Sequence, residues 1–243
     1  MRLDLPRVAR SRLDPAERYG LRLTLAAVAV VVVAAPFSYL TFEVLGEGPL
    51  TRLDGRLADR LNAWAHHRPA VLGLLEAVSL LAKPITLWVV VALAVGWLWR
   101  QGRHRKCIFL VVTSLAGGLI DTLVKLAVDR PRPEVDHPVA MAFGKSFPSG
   151  HAMMATVVYG ALVVAFWQNL APRWRGRALV ATVVLVVAVG TSRLFLGVHF
   201  LTDVVGGFLL GLAWLSASVA AFATWRHDRA VEAIITGVPD REP

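Results

Sequence analysis

SRLFLGVHFLTDVVGG, residues 192–207, has the apolar density of a buried helix, yet it carries Arg193, His199 and Asp203. An ionisable side chain at the centre of a membrane helix costs roughly 2.5–3.5 kcal/mol on insertion scales, so three of them mark a functional site or an interface. Gly197, midway along the stretch, supplies the freedom to bend. The stretch is therefore read as a turn between two membrane helices. Arg193 ends the first, and His199 and Asp203 lie in the opening turns of the second.

The surrounding sequence supports a membrane setting. Of 243 residues, 56% are apolar, and they are gathered into blocks rather than dispersed. A spanning helix needs about 20 mostly apolar residues. Six blocks qualify, at roughly 21–42, 84–99, 107–128, 151–171, 178–198 and 200–225. The expected fold is all-α, a polytopic membrane protein with six transmembrane helices. The first block is too long for a secretory signal and no cleavage pattern follows it, so it is read as a retained anchor. One cysteine, Cys107, excludes an intramolecular disulfide.

The formal charge of +9 is distributed as a topology signal. With the N-terminus inside, the inner segments 1–20, 100–106, 171–177 and 225–243 hold fifteen Lys/Arg, against seven in the outer segments. Cytoplasmic loops carry this excess, so both termini are expected inside. The basic residues then match anionic lipid headgroups and give no footprint for nucleic acid. The expected division is a cytoplasmic basic N-terminus at 1–20, a membrane domain at 21–225 and a cytoplasmic tail at 226–243. Within the first outer segment, Leu53, Leu57, Leu61 and Trp64 recur at helical spacing between charged residues, the pattern of an amphipathic helix on the outer surface. Residues 69–82 are apolar but too short to span alone. They fit a re-entrant segment or the first part of a bent second helix.

In this topology the polar residues of the second half fall at one membrane level, on the outer side. His199 and Asp203, four apart, share a helix face. A carboxylate on one imidazole nitrogen fixes the tautomer and leaves the other lone pair free, as nucleophilic sites require. Read alone, the pair equally fits a histidine satisfied at headgroup depth. Lys125, Arg130, Arg132 and Arg193 bring four cations to the same level, suited to phosphate oxygens. Internal neutralisation competes with that reading: Asp121 is four residues before Lys125, and Asp129 adjoins Arg130. In PSGH, residues 148–151, Ser149 is placed to cap the next helix, whose first N–H groups, with Gly150, would bind an anion. His151 faces the same region, so one histidine can attack while the other serves the leaving group.

These residues resemble the type 2 phosphatidic acid phosphatase family of membrane lipid phosphate phosphatases. Its three-part pattern, K-x6-R-P, P-S-G-H and S-R-x5-H-x3-D, is matched in order by KLAVDRPRP from Lys125, PSGH from Pro148 and SRLFLGVHFLTD from Ser192. The resemblance implies phosphomonoester or diphosphate hydrolysis without a metal or other cofactor, through a phosphohistidine on His199. Asp203 would orient His199, and His151 would protonate the leaving oxygen. Lys125, Arg132, Ser149, Gly150 and Arg193 would hold the phosphoryl oxygens, with Arg130 and Asp121 as additional candidates. Soluble relatives with a similar site bind vanadate, for which nothing in this sequence calls.

The implied partners are membrane lipids and a lipid phosphate or diphosphate substrate, with no nucleic acid; the oligomeric state is left open. An outward-facing site in the cell membrane favours a polyprenyl diphosphate such as undecaprenyl diphosphate. Phosphatidylglycerol phosphate and phosphatidic acid are alternatives. A transporter with a polar site at its outer face is the rival of another class, and a Ser149 acyl hydrolase is a third reading, although no G-x-S-x-G elbow is present.

Overall fold

The computed structural model describes residues 21–135 and 144–236. The basic segment 1–20 and the final residues 237–243 of the expected tail lie outside them. Eight helices, and no strand, occur among the described residues. In chain order they are α1 (Leu21–Leu45), α2 (Pro49–His66), α3 (Pro69–Leu80), α4 (Pro84–Arg100), α5 (His104–Val128), α6 (Gly150–Phe166), α7 (Pro172–Phe195) and α8 (Leu201–Thr236).

Helix α6 is the centre of the bundle because it is apolar on every face. Ala152, Met153, Ala155, Val157, Val158, Ala161 and Ala165 are all buried, as expected of a helix with no polar stripe to turn outward. It packs against α5, α7 and α8; α1 lies along α8, and α3 along α7. The PSGH stretch leads directly into α6, so its residues are delivered to the bundle interior.

Apolar side chains on the outside complete the membrane reading. Ile85, Leu93, Leu119, Leu126, Val180 and Val184 are all more than half exposed, a surface no water-soluble domain sustains. The chain is an integral membrane protein. Three of the described helices are long and apolar enough to cross a bilayer: α5, α7 and the Leu201–Ala223 part of α8. Helices α3 and α4 meet the same test only together, bent by 46° at a short break, the geometry of a broken span or of a re-entrant loop. Of residues 69–82, Pro69–Leu80 form a helix of their own, set at an angle to the one that starts at Pro84. Helix α6, Gly150–Phe166, is apolar but shorter than α5, α7 and α8. Helix α8 continues to Thr236, eleven residues beyond the expected end of the membrane block at 225.

Helix α2 occupies the segment expected to be amphipathic, and its most deeply buried side chains are small or polar. Asp54, Ala58, Asn62 and Ala65 turn inward, while Leu53 and Trp64 are exposed. Leu57 and Leu61 are half-buried, Leu61 against the cluster of Ala152, Leu194 and Val204, and Asp54 and Asn62 find polar partners in the bundle. Asn62 Nδ2 donates to the Phe195 carbonyl at 3.5 Å.

The turn between α7 and α8 lies where expected, but His199 falls in the turn itself, ahead of α8 at Leu201, and not in that helix's opening turns as the sequence suggests; only Asp203 lies there. Leu196 N–H donates back to the Ser192 carbonyl and Val198 N–H to that of Arg193. Gly197 has φ +71°, in the left-handed region. A Cβ there would lie 2.8 Å from Asn62 Nδ2 and 2.9 Å from Val135 Cγ2. Gly197→Ala should therefore lower stability by about 1–2 kcal/mol, the cost of left-handed backbone for an L-residue, with any clash added. Gly96→Ala in α4, where a Cβ meets nothing within 4 Å, should be neutral or stabilising by up to about 1 kcal/mol. Thermal unfolding of the two variants in detergent compares them.

Candidate active site

A cavity of about 1000 Å³ opens between the α3–α4 break, α5, α6 and the α7–α8 turn. One end is polar, lined by Lys125, Arg132, Gly150, His151, Arg193 and His199. A second part of the lining is apolar, with Leu80, Leu87, Trp88, Val91, Met154 and Val158, and Glu76, Lys83 and Asp121 add charges of both signs. Residues as far apart in sequence as Leu80 and His199 thus share one chamber.

His199 lies in the turn before α8 and is almost fully buried. Its Nδ1 is 3.4 Å from Asp203 Oδ2. An ionised carboxylate can only accept, so Nδ1 carries the proton and Nε2 presents a lone pair. Burial pushes the imidazole pKa down to about 4, against the raising influence of Asp203, so the ring is neutral at neutral pH. Arg132 Nη1 is 3.3 Å from Nε2 and also donates to the Val198 carbonyl at 2.7 Å; Arg132 Nε donates to the Gly144 carbonyl at 3.0 Å. The guanidinium thus stands directly over the imidazole lone pair.

Asp203 is fully buried behind His199. Its Oδ2 also accepts from the Phe200 N–H at 2.9 Å, and its Oδ1 accepts from Arg130 Nη1 at 2.6 Å. Its backbone carbonyl accepts the Ser149 N–H at 2.9 Å, which ties the PSGH loop to the start of α8.

Lys125 pairs with Asp121 at 2.5 Å, as their spacing predicts. The pair presses on the start of α6. A Cβ at Gly150 would lie 2.9 Å from Asp121 Oδ2 and 3.1 Å from Lys125 Nζ, so a side chain there would displace them. Arg193, 7% exposed, donates through Nη1 to Ser79 Oγ at 2.6 Å.

Three expectations need correction. Ser149 holds the N-cap position of α6 but makes no side-chain capping bond, and its buried Oγ has no hydrogen-bond partner. Asp129 does not neutralise Arg130; it sits in a left-handed C-cap conformation and pairs with Lys145. Arg130 does not line the cavity. It turns away to Asp54 of α2, Thr202 and Asp203.

Ser79, Asp54 and Thr202 therefore join the site's surroundings although the sequence reading did not single them out for it. Ser79 gave no signal, since a lone serine in an apolar helix is common. Asp54 carried one: it breaks the outer charged face by falling at the spacing of Ala58, Asn62 and Ala65.

The buried Ser149 Oγ, His151 Nε2 and Arg193 Nε, all without a partner among the described residues, are atoms that a bound oxyanion would satisfy. With three lining cations and a helix N-terminus, the polar end has the donor set of a phosphate site.

A family model described as the PAP2 superfamily matches residues 105–227. The chain belongs to the PAP2 superfamily. This PAP2 chain is 40% identical over 96 residues to phosphatidylglycerophosphatase B of Bacillus subtilis, covering 39% of this chain and 47% of that protein. It thus spans about half the length of that relative. It is 30% identical over 177 residues to the putative undecaprenyl-diphosphatase YbjG of Escherichia coli, covering 70% of this chain and 83% of the relative. Its fold matches the crystal structure of a transmembrane PAP2-type phosphatidylglycerolphosphate phosphatase from Bacillus subtilis. There the TM-score is 0.72 at 23% identity, over 84% of this chain and 97% of the other.

Removing the acceptor of a buried guanidinium leaves it unsatisfied, at a cost of about 1–3 kcal/mol or more. Ser79→Ala should accordingly lower the melting temperature, and Ser79→Thr, which keeps the hydroxyl, should restore most of it.

Proposed function

We propose that this protein is a membrane lipid phosphatase that hydrolyses a phosphate ester or diphosphate through a phosphohistidine on His199. The observation that carries the reading is the two-ended cavity. Its cations and imidazoles suit a phosphoryl group, and its apolar wall suits the chain of an amphiphile. A soluble phosphate ester has no use for that wall.

The chemistry follows from the residues. An incoming phosphoryl group draws Arg132 off His199 Nε2, so the group that covers the nucleophile becomes one that holds the substrate. Lys125, Arg193, Ser149 and the Gly150 N–H take further oxygens as charge spreads in the transition state. Nε2 forms the P–N bond as the P–O bond to the lipid breaks, and His151 gives its proton to the leaving oxygen. Asp203 offsets the positive charge on the imidazole. Water, deprotonated by His151, then breaks the P–N bond and releases phosphate. The cations supply the charge neutralisation, so the reaction as drawn needs no metal ion.

The favoured substrate is a polyprenyl diphosphate. Lys83, at the α3–α4 break, lines the same cavity outside the three motif segments and provides a cation for a second phosphate. The relative with the wider coverage is named a putative undecaprenyl-diphosphatase. Phosphatidylglycerol phosphate is the second reading, favoured by the 40% identical relative. Six spans are proposed, α1, the α3–α4 pair, α5, α6, α7 and α8, with α2 on the outer surface. The distribution of Lys and Arg supports both termini inside and the cavity at the outer face of the cell membrane.

Phosphate release from a panel of polyprenyl and glycerol lipid phosphates, in detergent with EDTA, tests the reading. The wild type should be active and His199→Ala inactive, a loss of at least about 10³-fold given the role of a covalent nucleophile. Strict dependence on a divalent metal, or an active His199→Ala variant, contradicts it. Uptake of labelled substrate by vesicles without phosphate release would establish the transporter instead. For sidedness, a cysteine at Glu134 in a Cys107→Ala background should react with an impermeant maleimide in whole cells, and one at Gln101 should not.

A further inference from the structure

Arg130 and Asp54 are buried charged residues that the reaction above does not use. Arg130 is 8% exposed and Asp54 2%. Arg130 Nη2 donates to Asp54 Oδ2 at 2.9 Å, and Nη1 donates to Thr202 Oγ1 at 2.7 Å and to Asp203 Oδ1 at 2.6 Å. The guanidinium also stacks over Phe200, 4.2 Å from the ring centroid. Asp54 in turn accepts the Thr202 N–H at 3.1 Å and the Thr202 hydroxyl. Phe200, Thr202 and Asp203, which this chain of bonds holds, directly follow His199 at the start of α8.

We propose that Asp54 and Arg130 are positioning residues for the His199 nucleophile, gripping Asp203 from behind so that its other oxygen fixes the Nδ1–H tautomer. The inference rests on the reading of His199 as the nucleophile. Each oxygen of Asp203 is committed: Oδ1 to Arg130, Oδ2 to His199 and the Phe200 N–H. Rotation of the carboxylate would break bonds on both sides. Without Arg130 the carboxylate keeps only the Oδ2 contacts and can turn about its Cβ–Cγ bond.

Charge accounting points the same way. Asp54, Arg130 and Asp203 together carry one net negative charge, which matches the single positive charge that a phosphorylated imidazole acquires. A lone Asp203–Arg130 pair would be neutral and would offer the intermediate less. Asp54 restores the balance from α2, so a helix outside the three motif segments becomes part of the nucleophile's support. A scaffold role alone is a weak explanation, because buried ion pairs often add little net stability.

The test uses the full chain in detergent, as Asp54→Asn, which is nearly isosteric, and Arg130→Lys, which keeps the charge but loses the planar fork that reaches Asp203 and Asp54 together. Both should melt cooperatively, keep KM within about threefold, and lose about 10–100-fold in kcat, the range found when the outer partners of a fixed histidine are removed. ¹⁵N spectra of labelled histidine, with His199 assigned by its absence in His199→Gln, should show the Nδ1–H tautomer in the wild type and a tautomer mixture in the variants. Unchanged kcat with an unchanged tautomer overturns the proposal. So does a rise in KM that matches the whole loss, which would make Arg130 a phosphate ligand. Loss of cooperative melting in both variants would reduce the network to a scaffold. A wild type inactive on every lipid phosphate refutes the proposed function, and the tautomer measurement still decides this inference.

Discussion

The arrangement depends on Asp203, a single carboxylate with no exposure to solvent. Its Oδ2 faces His199, its Oδ1 holds Arg130, and its backbone carbonyl receives the Ser149 N–H. Three separate segments, the DRPRP stretch, the PSGH loop and the opening turn of α8, are thereby referred to one residue. A buried carboxylate is tolerable only when its lone pairs are filled. That requirement gathers around it the residues which the chemistry needs. The same demand reaches outward through Arg130 to Asp54, and so sets which face of α2 turns inward.

The cations show a second level of the same logic. The cations at the polar end are held by partners of two kinds. Lys125 has Asp121, Arg193 has Ser79, and Arg132 has two backbone carbonyls. The neutral acceptors of Arg193 and Arg132 leave their charge for an incoming anion, whereas Asp121 holds Lys125 as an ion pair. The site is thus organised before any ligand arrives, so little reorganisation is needed when charge develops.

Much of this was legible in the sequence because polar residues in apolar blocks are costly and must be explained. Arg193, His199 and Asp203 announced the turn, and Gly197 its position. The spacing of Asp121 and Lys125 gave their pair. What stayed hidden depends on tertiary direction. Asp129 adjoins Arg130 in sequence, but the left-handed cap after α5 sends the two side chains to different partners. The leucines of α2 formed the more visible stripe, yet Asp54 and Asn62 had buried partners waiting on other elements. Ser79 became legible only when α3 lay against α7.

The central claim is that the phosphoryl group passes through Nε2 of His199. Rapid quenching of the enzyme with ³²P-labelled lipid diphosphate, followed by peptide mapping, tests it most directly. The account predicts an acid-labile, base-stable label on the peptide containing His199, absent in His199→Gln. An acid-stable label on Ser149, or turnover with no label at any quench time, would contradict it.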